Sequence, residues 1–189
     1  MTNLLKPLLT AFFFAVSFSV SALEIKGVKV DEFAQVGGTS LVLNGAGVRT
    51  KTIFKVYVAG LYLTQKSSDA NAVINDAGNK RVSMHMLRGL TVEKLINALD
   101  EGFNANNSEA DMIAIEQQLK VFRQMMISTK SVKDNDVILL DYTSAGTQIS
   151  LNGMILGNVE SAAFNRALLR VWLGAKPVDA ALKKAMLGQ

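Results

Sequence analysis

Residues 44–63 read NGAGVRTKTIFKVYVAGLYL, and they carry more structural information than any other part of the chain. The first part is rich in glycine and ends at Arg49, whereas the second part is dense in the β-branched and aromatic residues that strands favour. We therefore expect a flexible loop, rich in backbone NH groups, at the mouth of an apolar strand. Gly45 and Gly47 are expected to be turn glycines with positive φ. Arg49 beside such a loop predicts a site for a small anionic or enol-like ligand.

Residues 1–22 have the pattern of an export leader rather than of a folded element. Lys6 supplies the positive charge, residues 8–20 form an uncharged apolar stretch, and Val20-Ser21-Ala22 is a small-x-small cleavage site. The apolar stretch is shorter than the ~20 residues that a membrane span requires. We expect removal of this signal peptide, a mature periplasmic protein that begins at Leu23, and no membrane span after the removal. A retained N-terminal anchor is the alternative.

The composition excludes several classes of protein. The chain has no cysteine, so it forms no disulfide, thiolate nucleophile or cysteine-ligated metal site. His85 is the only histidine, and the sequence has no Gly-x-Ser-x-Gly elbow, phosphate loop, dinucleotide fingerprint or metal motif. The formal charge of +4 falls by one without Lys6, and the charged residues are interspersed rather than clustered. We therefore expect no cofactor, no metal and no nucleic-acid partner.

Apolar and polar residues alternate in several segments, and this alternation predicts strands. In residues 80–87 the polar side chains occupy the odd positions from 81 to 85, and the apolar side chains occupy the even positions from 82 to 86. The same rule places Val56 and Tyr57 on opposite faces of the strand within residues 52–63. Residues 136–143 and 146–156 are expected to form a hairpin that turns through residues 144–146.

Capping residues and a change of period to that of a helix predict four helices. Their expected ranges are residues 92 to about 103 after Thr91, 109 to about 127 with a Ser108/Asp111 capping box, about 159–173, and 178–187. Because strands and helices are segregated along the chain, the pattern predicts an α+β fold in which helices cover one face of an antiparallel sheet. The absence of repeats and linkers predicts one domain over residues 23–189.

Three segments carry a family resemblance by their order and spacing. They are NGAGVR (44–49), AGLYL (59–63) and LRVWLGAKPVDAAL (169–182). Together they resemble the chalcone isomerase superfamily, and more narrowly its exported, chalcone isomerase-like branch from bacteria. The resemblance covers essentially the whole mature chain. It implies an open-faced β-sandwich, with helices on one side of a large antiparallel sheet and a ligand cleft between the two layers.

The plant enzymes of this superfamily cyclise a chalcone to a flavanone. The resemblance implies that Arg49 would stabilise the attacking oxyanion and the developing enolate, a role that suits a permanently charged guanidinium with several donors. The other catalytic positions of the family do not carry the matching residue types in this chain. They fall on Tyr57, near Thr91, on Ala98 or Asn97, and on Val171.

The superfamily also contains non-catalytic members that bind a fatty acid, with its carboxylate at an arginine and a tyrosine. Arg49 with Tyr57, or with Tyr62 if the strand contains a bulge, satisfies this pairing, and Val171 is expected to contact the ligand. Methionine-rich helix faces are expected to line a tail-shaped cavity. We therefore predict a non-catalytic binding protein for a fatty acid or a similar amphipathic anion. The alternatives are an isomerase (an intramolecular lyase) that uses Arg49, and a structural or interaction module whose cleft is filled by its own side chains.

Overall fold

The structure is a computed structural model that describes residues 23–189. The export leader predicted for residues 1–22 lies outside this range. Within the described range, no helix combines the length and the apolar character that crossing a membrane requires.

A seven-stranded antiparallel sheet forms the centre of the molecule. Its strand order is β11-β10-β9-β6-β5-β4-β3, so most neighbours in space are also neighbours in sequence. The strands are β3 (Phe33–Val36), β4 (Thr39–Lys51), β5 (Phe54–Leu63), β6 (Lys80–Met86), β9 (Val137–Thr143), β10 (Gly146–Leu151) and β11 (Met154–Val159). Two small two-stranded sheets accompany it, formed by β1 (Leu23–Ile25) with β2 (Val28–Val30), and by β7 (Leu90–Thr91) with β8 (Ser131–Val132).

Helices cover one face of the large sheet and bury the main hydrophobic core against it. They are α1 (Ala70–Asn75), α2 (Val92–Asn106), α3 (Glu109–Ala114), α4 (Glu116–Ile127), α5 (Ala162–Leu173) and α6 (Ala180–Met186). All of them except α4 begin at a residue whose side chain accepts a hydrogen bond from the first turn, namely Asp69, Thr91, Ser108, Ser161 and Asp179. The Ser108/Asp111 capping box is present. The architecture confirms the predicted α+β open-faced sandwich.

The second face of the sheet is partly covered. The β1–β2 hairpin packs on it and forms a smaller apolar cluster with Leu41, Val58 and Tyr62. The Tyr62 hydroxyl donates to the backbone oxygen of Asp31 at 3.0 Å. Tyr62 therefore holds the hairpin against the sheet, on the side opposite the helices.

The glycine-rich segment was wrongly predicted to be a loop, because β4 runs through residues 44–49 without interruption. Gly45 and Gly47 do not have positive φ. They are required for another reason, which is that α6 lies directly on this part of β4. A Cβ atom at Gly45 would overlap the carbonyl oxygen of Ala185, and one at Gly47 would lie 2.7 Å from the Cβ of Ala185. The glycines allow a close approach between helix and strand.

Two bulges break the pairing of β4 with β5. The register shifts between Leu43 and Gly45, which leaves Asn44 without a partner in the ladder, and between Tyr57 and Lys55, which does the same for Val56. Because of the second bulge, Val56 and Tyr57 both belong to the helix-facing core, although simple alternation predicts opposite faces.

Three predicted elements differ in extent from the observed ones. Residues 146–156 form two strands rather than one, since Asn152 and Gly153 both have positive φ (51° and 81°) and make the turn between β10 and β11. The long helix ending near Ile127 is divided into α3 and α4 at Ile115, whose φ and ψ are −112° and 10°. The helix expected from residue 159 begins at Ala162, because residues 154–159 pair with β10.

Candidate functional site

Arg49 and Tyr57 lie opposite each other on neighbouring strands. The two residues are register partners near the turn of the β4–β5 hairpin, next to the Val56 bulge. The guanidinium carbon of Arg49 lies over the Tyr57 ring, 5.6 Å from its centroid, which is the distance of a cation–π contact. The aromatic ring therefore fixes the position of the guanidinium from the core side.

The hydroxyl of Tyr57 is in turn fixed by Trp172 on α5. The indole Nε1 donates to this hydroxyl at 2.9 Å, in a fully buried hydrogen bond. Burial raises the pKa of Tyr57, and the charge of Arg49 opposes this shift only in part. The phenol is thus neutral at physiological pH, and a chain of contacts runs from Trp172 through Tyr57 to Arg49.

Replacing Tyr57 by phenylalanine is expected to destabilise the protein by about 1–3 kcal/mol, because the buried Trp172 Nε1–H loses its acceptor. Urea unfolding of the variant measures this change. The Trp172→Phe variant already lacks the donor of this hydrogen bond. Adding Tyr57→Phe to that variant should therefore destabilise it clearly less than Tyr57→Phe destabilises the wild-type protein. Equal effects of Tyr57→Phe in the two backgrounds would show that the hydrogen bond contributes nothing to stability.

Arg49 is unusual among the cations of this protein because it is buried without an ion-pair partner. Its side chain is 7% exposed. Among the residues that the structure describes, Nε has no hydrogen-bond partner, and no carboxylate pairs with the guanidinium. A buried charge without a partner destabilises a folded protein unless something else binds it. The geometry therefore favours an anion supplied from outside the chain.

A groove of about 510 Å³ leads from Arg49 to the surface. It lies between the β4–β5 hairpin on one side and α2 with the segment before it on the other. Its apolar wall consists of Phe54, Val56, Leu90 and Ala98. The polar residues that line it are Arg49, Lys51, Thr52, Arg88, Lys94, Asn97 and Glu101.

The charges of this groove are strongly unbalanced, with four cations against the single carboxylate of Glu101. Arg88 lies over the Phe54 ring at 4.5 Å from its centroid, so this cation is held within the groove. The volume falls within the range of small-molecule sites, and the combination of apolar wall and excess positive charge suits an amphipathic anion.

The space behind Arg49 is closed, which corrects the prediction of a tail-shaped cavity between helices and sheet. The hollow there measures about 10 Å³, hardly enough for one water molecule. Met84, Leu95, Leu99 and Trp172 fill it. Of the helix methionines expected to line a cavity, Met126 is a core residue instead, and Met112 is partly buried against the core.

The predicted site residues are thus brought together only in part. Arg49, Tyr57 and Val171 meet around the small hollow. Val171 is a buried apolar residue there, whereas Tyr62 lies on the other face of the sheet, since it is an odd number of residues from Tyr57. Thr91, which lies near another catalytic position of the family, caps α2. Asn97 and Ala98, the two candidates for a further catalytic position, lie on the same helix and line the groove.

Sequence reasoning missed three cations of the groove, Lys51, Arg88 and Lys94. Lys94 could have been found from the sequence. The Thr91 cap fixes the start of α2, and positions 94, 97, 98 and 101 then share one helix face by their spacing. Lys51 and Arg88 could not have been found, because their position in the groove depends on how the β4–β5 hairpin approaches α2.

The fold and the site define a class of protein in which helices cover one face of a curved antiparallel sheet and a cationic groove opens beside a strand arginine. The chain belongs to the chalcone isomerase-like family, whose model matches residues 22–188. This confirms the resemblance at the level of the family. No curated protein matches the sequence.

A solved structure with the same fold is that of a fatty-acid binding protein from Arabidopsis thaliana. The two structures superpose with a TM-score of 0.70, covering 88% of this chain and 96% of the plant chain. The sequences are 15% identical, so this likeness establishes the shared fold.

Proposed function

We propose that this protein binds an amphipathic carboxylate of the fatty-acid type without transforming it. The observation that carries the proposal is the buried guanidinium of Arg49, whose Nε lacks a partner among the described residues at the inner end of a cationic groove. A carboxylate can accept two parallel hydrogen bonds from a guanidinium, and such charge-assisted pairs are among the strongest hydrogen bonds. The plant protein of the same fold, described as a fatty-acid binding protein, supports the choice of ligand class.

In this proposal the hydrocarbon tail lies along the groove and not in the protein interior. Phe54, Val56, Leu90 and Ala98 provide the apolar contact for it. The hollow beside Tyr57 is too small to admit a carboxylate, so Tyr57 does not contact the ligand. Its role is to orient the guanidinium of Arg49. Lys51, Arg88 and Lys94 raise the local concentration of anions and are less specific for the geometry of the headgroup.

Binding is placed ahead of the isomerase alternative because the surroundings of Arg49 offer little acid–base chemistry. The pKa of Tyr57 is raised by burial, and its hydroxyl is already engaged by Trp172. Val171 has no polar group, and the Thr91 hydroxyl caps α2. Arg49 alone could stabilise the enolate that forms from a chalcone, so chalcone turnover is measured together with binding.

The third alternative, an interaction module, predicts a cleft filled by the protein's own side chains. The hollow behind Arg49 meets that description, whereas the groove in front of it remains open. It is this open groove that favours a ligand.

Export also belongs to the proposal. The leader pattern of residues 1–22 supports a periplasmic protein of the exported bacterial branch, and the mature chain is then expected to begin at Leu23. A carrier of amphipathic anions suits a compartment between two membranes.

Native mass spectrometry of the protein purified from the periplasm of its own cells tests the proposal. We expect the mass of a chain that begins at Leu23, together with about one bound fatty acid or similar carboxylate per protein molecule. Palmitate added to the delipidated protein should bind saturably with the same stoichiometry. A protein that neither carries nor takes up palmitate would overturn the proposal. Turnover of a chalcone would replace it with the isomerase alternative.

A further inference from the structure

The tip of the β4–β5 hairpin exposes apolar side chains where a turn normally carries polar ones. Ile53 is 79% exposed and Phe54 is 53% exposed. Thr52, the other residue of the two-residue turn, has a φ of 59°, a conformation that a β-branched residue rarely adopts. Two-residue turns favour glycine, asparagine and aspartate, which avoid this strain. The sequence of the tip therefore does not optimise the turn itself, and its apolar side chains call for a contact outside the chain.

Cations surround this apolar tip. Lys51 and Lys55 flank it along the chain, and Arg88 lies over the Phe54 ring. Lys26, at the turn of the β1–β2 hairpin, reaches the same place. It is close enough to Lys55 that the side-chain interaction between the two like-charged groups lowers the pKa of Lys55.

These cations are not neutralised by the protein. In residues 23–189 no carboxylate forms an ion pair with Lys26, Lys51, Lys55 or Arg88. Two lysines side by side without a carboxylate repel each other, and a negatively charged partner relieves that repulsion. The partner must then be both anionic, to match the lysines, and able to accept Ile53 and Phe54 into an apolar environment.

An anionic bilayer surface combines these two properties, since lipid phosphates lie directly above hydrocarbon. We propose that the hairpin tip docks on an anionic lipid membrane, with Ile53 and Phe54 inserted at the headgroup level and the surrounding cations on lipid phosphates. The groove opens at the same place, because Lys51, Phe54 and Arg88 line it. Docking would bring the mouth of the groove to the bilayer surface, where an amphipathic anion passes between the two without crossing bulk water.

Co-sedimentation of the mature protein, purified from the periplasm of its own cells, with lipid vesicles tests this inference. We expect binding to phosphatidylglycerol-containing vesicles at low salt, weaker binding at high salt, and little binding to pure phosphatidylcholine. Ile53→Ser should weaken the binding about tenfold through the lost apolar contact. Lys55→Glu should weaken it roughly fivefold or more through charge. Neither residue lines the groove.

Matched controls are available elsewhere on the surface. Ile113 on α3 is 68% exposed, and Lys66 follows the opposite end of β5 from Lys55. Ile113→Ser and Lys66→Glu should leave vesicle binding unchanged. If these controls weaken binding as much as the tip variants, or if the wild-type protein ignores phosphatidylglycerol, the inference is overturned. Concentration-dependent dimerisation that Ile53→Ser abolishes, without vesicle binding, would assign the tip to a second copy of the chain instead.

The vesicle assay is independent of ligand binding. Palmitate affinity in solution should be the same for Ile53→Ser and the wild-type protein. A protein that binds vesicles through the tip but takes up no palmitate would retain the docking surface and lose the proposed function.

Discussion

Replacing Arg49 by methionine is expected to weaken palmitate binding about 100-fold, because the carboxylate loses two charge-assisted hydrogen bonds of about 1.5–3 kcal/mol each, offset in part by hydration of the free ligand. Isothermal titration calorimetry with the delipidated protein measures the change. Methionine matches the apolar stem of arginine in length and keeps its contacts, so the loss reports on the guanidinium. The palmitate affinity of Arg49→Lys should lie between those of the wild type and Arg49→Met, since an ammonium group retains the charge but lacks the planar fork.

The stability of the Arg49→Met variant distinguishes a ligand-binding role from a structural one. In the empty protein the cation–π contact with Tyr57 offsets only part of the cost of a buried guanidinium whose Nε has no partner among the described residues, so the variant should be as stable as the wild type or more stable. Arg166→Met, on α5 and away from the groove, serves as the control and should leave palmitate affinity unchanged. Unchanged affinity in Arg49→Met, or marked destabilisation of it, would show that Arg49 is a structural residue.

Replacing Gly45 by alanine is expected to destabilise the protein by about 3 kcal/mol, although it adds a single methyl group. The new Cβ would overlap the carbonyl oxygen of Ala185 in α6 and lie 3.1 Å from the backbone oxygen of Met186. Both obstacles are backbone atoms, so no side-chain rotation relieves the overlap and α6 must move away from β4. Thermal and urea unfolding measure the loss.

Gly89→Ala provides the comparison for this variant. Its added Cβ would meet the backbone oxygen of Val132 at 3.5 Å, an ordinary contact, and Gly89 does not have positive φ. We expect its stability to change by no more than about 0.5 kcal/mol. If Gly45→Ala were equally mild, α6 would not be held closely on β4, and close helix packing would not explain the glycine pattern of this strand.

Local rules predicted the elements whose boundaries are encoded locally. Thr91, Ser108 and the alternation in residues 80–87 led to the correct helix starts and to strand β6, because a cap or a two-residue period depends on neighbours in sequence. The segregation of strands and helices predicted the arrangement of layers, and the family resemblance agreed with it. Together they predicted the fold class and the pairing of Arg49 with Tyr57.

The failures occur where a distant part of the chain decides the outcome. Gly45 and Gly47 have the composition of a turn, yet the helix that requires them lies about 140 residues further along. The Val56 bulge places two consecutive side chains in the same core, and no local pattern of residues 52–63 encodes it. The groove lies where this hairpin meets α2, and Val56 lines it. For this reason Arg49 was found from the sequence, whereas Lys51 and Arg88 beside it were not.

Asn44 links β4 to α6, and this link bears on when the protein can fold. Its side-chain amide donates to the backbone oxygen of Met186 at 2.7 Å, across 142 positions of sequence. A contact of such span forms only after α6 has been synthesised, and until then the glycine-rich surface of β4 has no helix to cover it. The nascent chain thus lacks these native contacts until α6 has left the ribosome. Under the proposed export, that delay would keep the chain in the unfolded form that a translocation channel can thread.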